Sequence, residues 1–184
     1  MKGVIFTEFI EMLELQQSPT FADEVLDSSD LPSGGAYTAV GTYDSAELSM
    51  LVRSTAERLQ LTERDILREY GRFLFGRLAV LYPELVAGYA GAFPFIERLS
   101  WLHYSEVVKL YPDGQFPQFE SRIASPGVMT VVYRSHRHLG DLAEGLLQGV
   151  LDHFGEAKSI GRRELADDGT AVMFTLTSEP DVTP

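Results

Sequence analysis

Apolar residues recur at three and four spacing from Ile5 through Phe9, Ile10, Met12, Leu13 and Leu15, which predicts a short buried helix ending before Pro19. A turn-rich stretch from Ser28 to Gly35, with Pro32, Gly34 and Gly35, follows as a loop. Asp44 and Thr62 each have N-cap chemistry and a carboxylate three residues on, Glu47 and Asp65, so a helix is expected after each. The second should run from about Thr62 to Tyr82. It carries Gly71 and Gly76, which weaken a helix and so mark close packing or a bend. Helical spacing returns from about Phe95 to Leu110, across Trp101 and His103.

Beyond Pro112 the pattern changes. Phe116–Ile123, Val128–Tyr133, Ala157–Glu164 and Ala171–Thr177 alternate or are rich in β-formers and are separated by Gly and Pro, as strands are. Between the second and third, Leu139, Leu142, Ala143, Leu146, Leu147, Val150, Leu151 and Phe154 form an apolar helical stripe. Helices first, then strands around one long helix, make an α+β domain without repeats or low-complexity segments.

At 184 residues and 45% hydrophobic, the chain is long enough for one domain that encloses a ligand. Its formal charge of -12 repels phosphate backbones and anionic lipids, which argues against nucleic-acid and membrane partners. With no cysteine there can be no disulfide, thiolate zinc site, Cys-ligated haem or iron–sulfur cluster. Any metal must be held by His or carboxylate. The first residues lack a signal core, and no apolar run approaches the roughly twenty residues of a bilayer span, so a cytoplasmic location is expected.

Four histidines are present, and His103 alone lies in a strongly apolar helical pattern. Periodicity by itself favours a core histidine over a metal ligand there. His136 and His138 have only an i, i+2 spacing and read as a solvated strand end. Asp167 and Asp168 fall in a Gly-flanked turn, and hydrolase and kinase motifs are absent, so no enzymatic activity is expected. Tyr133, Ser135 and Arg137 would share one face of a strand, giving two hydroxyls and a guanidinium able to grip carboxylates. A polar strand edge meeting a surface acid explains the same spacing.

Met1-Lys2-Gly3 before an apolar helix, Trp101-Leu102-His103, Tyr-x-Ser-x-Arg at 133, 135 and 137, and Gly145 in the following helix together resemble the haem nitric oxide and oxygen binding family, related to the sensory domain of soluble guanylate cyclase. The resemblance covers essentially the whole chain. It implies non-covalent haem b between a helical subdomain of about residues 1–62 and a proximal subdomain of about 63–184 with a four-stranded antiparallel sheet. It makes His103 the proximal iron ligand, Tyr133, Ser135 and Arg137 the propionate-binding residues, and Pro117 the proline pressing on the porphyrin, although a proline that merely starts a strand would look the same. The distal pocket would comprise Ile5, Phe9, Leu74, Leu78, Leu142 and Leu146. Leu142 stands where oxygen-binding members keep a tyrosine. Bound O₂ needs a hydrogen-bond donor and NO or CO needs little such help, so the expected ligands are NO and CO.

The resemblance further implies a bacterial gas sensor in which NO weakens or breaks the bond from iron to His103 and shifts the helix that bears it. Gly71 and Gly145 would be packing and hinge glycines. The partner would be a separate histidine kinase or a cyclic-di-GMP synthase or hydrolase, and the domain itself a monomer. An O₂-reactive haem enzyme and a haem-free acidic interaction module are the alternatives; the first wants a distal His or Arg, the second wants no haem.

Overall fold

The computed structural model describes residues 1–102, 117–156 and 158–178. Within them run α1 (Val4–Gln16), α2 (Pro19–Ser28), α3 (Ser45–Leu59), α4 (Glu63–Leu81), a 3-10 turn at Pro83–Leu85, α5 (Ala92–Leu102), β1 (Gln118–Ser125), β2 (Val128–Arg134), α6 (Gly140–His153), β3 (Lys158–Glu164) and β4 (Ala171–Ser178). The expected α+β order is present, with strand limits within two residues of the sequence reading.

Local chemistry accounts for the starts of α2, α3 and α4. Thr62 and Asp65 form a reciprocal capping box: the Asp65 N–H donates to Thr62 Oγ1 at 3.1 Å, and the Thr62 N–H donates to Asp65 Oδ2 at 3.3 Å. At α3 the Asp44 carboxylate accepts from the Ala46 N–H at 2.9 Å, but Glu47 does not complete a box. Glu47 is instead buried, accepting from the Tyr37 hydroxyl at 2.7 Å and from Ser33, so it ties the loop before α3 to the helix. The sequence reading assigned no helix between Pro19 and Ser28. Ser18 caps α2 by accepting from the Phe21 N–H at 3.1 Å, and Pro19 opens the helix at a position whose N–H needs no partner.

The four strands form one antiparallel sheet in the order β1-β2-β4-β3. Met129, Val131 and Tyr133 of β2 and Val172, Phe174 and Leu176 of β4 alternate toward a core completed by α5 and α6. A second core lies among α1, α2, α3 and the first half of α4. Helix α4 serves both: Ile66, Tyr70 and Leu74 enter the helical core, Phe75 and Ala79 the sheet core.

Where α4 crosses α6, the backbones touch. Gly71 lies against Leu142, Gly145 and Leu146, and Gly149 lies against Phe75 and Arg72. Gly76, grouped with Gly71 on sequence grounds, faces open space and α4 runs through it, so only Gly71 is a packing glycine. Beside the crossing, Arg162 of β3 pairs with Asp141, with Glu144 at 3.0 Å and with Glu164 at 2.7 Å, while Arg68 reaches Glu144 at 2.6 Å and Arg64 reaches Asp141 at 2.9 Å. The network joins β3, α6 and α4.

Candidate functional site

Strand β2 delivers Tyr133 to the core, 3% exposed and with its ring 5.3 Å from that of Phe119. The strand then ends at Arg134, so Ser135 and Arg137 are not strand residues as the spacing predicted. A turn brings them together instead: the Arg137 N–H donates to Ser135 Oγ at 3.2 Å, and the Ser135 N–H still reaches Thr170 O across the sheet at 2.8 Å. The inward alternation survives the change of backbone. Ser135 and Arg137 are half-buried while Arg134, His136 and His138 are exposed.

Burial raises the Tyr133 phenol above its ordinary value. Ser135, the Leu139 backbone and the Arg137 charge act in the opposite sense and partly offset that rise. Arg137 also faces the chain start: the Met1 ammonium, held on the Tyr43 carbonyl, is lowered by burial and then by the Arg137 charge.

Arg137 has no carboxylate partner among the described residues, whereas Arg53, Arg58, Arg64, Arg68, Arg72, Arg77, Arg134 and Arg162 all do. In a chain with 27 acids, a half-buried guanidinium left unpaired beside two hydroxyls is a donor set suited to an anionic group. The donors therefore fit the carboxylates of a haem.

All six residues named for the distal pocket meet in the helical core. Phe9, Leu74 and Leu142 are buried, and Ile5, Leu78 and Leu146 pack against them half-buried. Leu139 and Leu146 touch both cores, so the apolar cluster and the Tyr133 region adjoin along α6. Two residues the sequence reading passed over frame the cluster. The buried Tyr70 hydroxyl donates to Ile5 O, and Arg77 Nε donates to the buried Glu8 at 2.7 Å. Neither carries a local signal, because each partner is more than sixty residues away.

Pro117 is half-buried and directly precedes β1. His103 lies outside the described residues, directly after Leu102, the last described residue of α5. His136 and His138 are exposed, and no group of three His, Cys, Asp or Glu able to hold a metal ion occurs among the described residues. A polar surface groove of about 340 Å³ between the end of α2 and α3, lined by Ser28, Met50, Ser54 and Arg58, contains none of the residues expected to bind haem or gas. Among the described residues no helix is long and apolar enough to cross a membrane.

The model of the family described as haem-NO-binding matches residues 2–161. Among solved structures, the chain is similar to the Fe(II) unliganded H-NOX protein from K. algicida in a single-substitution variant, with 29% identity, TM-score 0.88, and coverage of 99% of this chain and 98% of that one. It is also similar to the H-NOX protein from S. oneidensis in the Fe(II)NO state, with 26% identity, TM-score 0.87, and coverage of 98% and 100%. An NMR structure of an S. oneidensis H-NOX domain in the Fe(II)CO state matches at 26% identity and TM-score 0.85, covering 98% and 100%. No curated protein matches the chain.

Proposed function

The chain belongs to the haem-NO-binding (H-NOX) family of gas-sensing haem domains, and on that basis we propose that it is a bacterial sensor that binds NO and CO but not O₂ and regulates a separate signalling protein. The observation that carries this reading is the pairing of Arg137, beside Ser135 and without a carboxylate partner among the described residues, with a contiguous apolar cluster that offers no free donor among those residues.

Haem, when bound, would supply a ferrous iron able to bind a diatomic gas. His103 would hold that iron through a ring nitrogen. Tyr133, Ser135 and Arg137 would hold the propionates, offsetting the cost of bringing two carboxylates into a largely apolar site. Ile5, Phe9, Leu74, Leu78, Leu142 and Leu146 would face the gas and exclude water. Tyr70 shares their core, but its hydroxyl is already committed to Ile5 O. A ligand that must accept a hydrogen bond, as O₂ does, gains nothing there.

The role is sensing and not catalysis, since general acid–base work on a bound ligand would need a polar distal group. Closely packed α4 and α6, with Gly71 and Gly145 at their contact, give the two cores a shared boundary across which a shift could be relayed to a histidine kinase or a cyclic-di-GMP synthase or hydrolase. The test is an anaerobic absorption spectrum of the reduced protein, then with NO, CO and air in turn. A haem spectrum altered by NO and CO and left without a stable oxy form is expected. A stable oxy form contradicts the selectivity, and a protein that takes up no haem contradicts the whole reading. His103→Ala should change the unliganded spectrum.

A further inference from the structure

Tyr70 stands midway along α4 with no exposed surface. Its hydroxyl donates to the main-chain oxygen of Ile5 in the first turn of α1, and its ring meets that of Phe9 edge-on, with centroids 5.0 Å apart and planes at 90°. The helical ladder uses one lone pair of that carbonyl, and the phenol takes the other. Seven residues along α4, Arg77 grips Glu8 at 2.7 Å. Leu74 falls between these two attachments, four residues after Tyr70 and three before Arg77. Ile5, Phe9 and Leu74 are thus bracketed by two polar contacts between α1 and α4.

A phenylalanine would fill the same space without needing a partner, so the hydroxyl does something that volume does not. Burial, with the Glu8 charge adding to it, pushes the phenol well above its ordinary value and keeps it a donor at any working pH. The next residue, Gly71, lies against the α6 backbone at Leu142, which ties this part of α4 to another wall residue.

We propose that Tyr70 is a positioning residue for the gas-facing wall: by fixing the Ile5 main chain and the Phe9 ring relative to Leu74, it sets the room a ligand finds among the three. The proposal rests on reading these apolar residues as the distal side of a haem site.

The experiment compares wild type, Tyr70→Phe and Tyr37→Phe. Tyr37 is the control, because it also donates a partly buried hydroxyl in the same core, to Glu47 at 2.7 Å and not to Ile5. In the haem-loaded proteins the infrared CO stretching band and the CO dissociation rate are recorded, and in the haem-free proteins the Ile5 methyl resonances. Tyr70→Phe should broaden or split the CO band, speed dissociation about fivefold, the equivalent of one neutral hydrogen bond, and shift the Ile5 resonances. Tyr37→Phe should leave the CO band unchanged. An unaltered band in Tyr70→Phe, or an equal change in Tyr37→Phe, overturns the proposal alone. Failure of wild type itself to take up haem overturns the functional reading and the proposal with it.

Discussion

Gly71 of α4 and Gly145 of α6 meet backbone to backbone: a methyl built on Gly71 would stand 2.9 Å from the Gly145 carbonyl carbon and 2.3 Å from Leu142 O, and one built on Gly145 would stand 2.0 Å from Arg68 O. No flexible side chain can yield there, so a Cβ must push the helices apart. Gly145→Ala should lose about 1–3 kcal/mol to overpacking, offset by at most about 1 kcal/mol of helix propensity. Gly76→Ala, with nothing within 4 Å of its added methyl, should gain about 0.5–1 kcal/mol. Urea denaturation midpoints check both. If the two alanines move the midpoint in the same direction, the contact is not the cause.

Arg137 and Arg122 both lack a carboxylate partner among the described residues, but Arg122 points to the outer face of the sheet while Arg137 lies with Tyr133. Arg137→Ala should hasten haem loss about tenfold to a hundredfold, as expected for a lost hydrogen bond to a charged group worth about 1.5–3 kcal/mol. Transfer of haem to an apo-globin acceptor measures this. Arg122→Ala should leave the rate unchanged, and equal losses in the two variants would assign the effect to net charge.

Leu142 is 7% exposed and sits in the cluster with Phe9 and Leu74. Leu142→Tyr introduces a hydroxyl where the wild-type cluster offers none that is uncommitted. The variant should hold O₂ long enough to give an oxy spectrum in air, with the CO complex retained. A spectrum in air identical to that of wild type would show that a donor at this position does not control selectivity.

Glu156 anchors the start of α5, accepting from the Ala92 N–H at 2.7 Å and from Lys158. Burial raises its carboxyl, but the Lys158 ammonium and the Ala92 N–H more than offset this, and the net shift is downward from 4.5. A depressed carboxyl adds stability that is full above the unfolded value and is lost as pH falls through the folded one. The stability difference between wild type and Glu156→Gln should therefore be largest above pH 4.5 and shrink below it. Chemical denaturation across that range measures it, and a difference independent of pH would mean that the charge is not involved.

The sequence carried most of the architecture, because local chemistry fixes it. Asp44 and Thr62 start helices with side chains that cap within three residues, and the strands alternate as a sheet with one covered face requires. Pro19 was harder, since proline stops one helix and opens another with equal ease, and only Ser18 before it tells which. The meeting of Tyr133, Ser135 and Arg137 was legible from alternation, though the turn that achieves it was not. Glu47, Tyr70 and Gly149 were beyond reach: each acts through a residue distant in sequence or in another helix, and no spacing rule encodes such a partner. Gly71 and Gly76 look alike in the sequence, and only the position of α6 separates them.

The order β1-β2-β4-β3 places the fourth of these strands in chain order in the middle of the sheet. During translation, β2 and β3 must wait with an unpaired edge until residues 171–178 emerge, and the buried Val131 and Phe174, which are opposite one another, cannot meet before then. Premature termination between β3 and β4 would thus leave a helical half able to collapse beside an open hairpin prone to mispairing. The helical core needs nothing beyond α6 and can form well before the sheet closes.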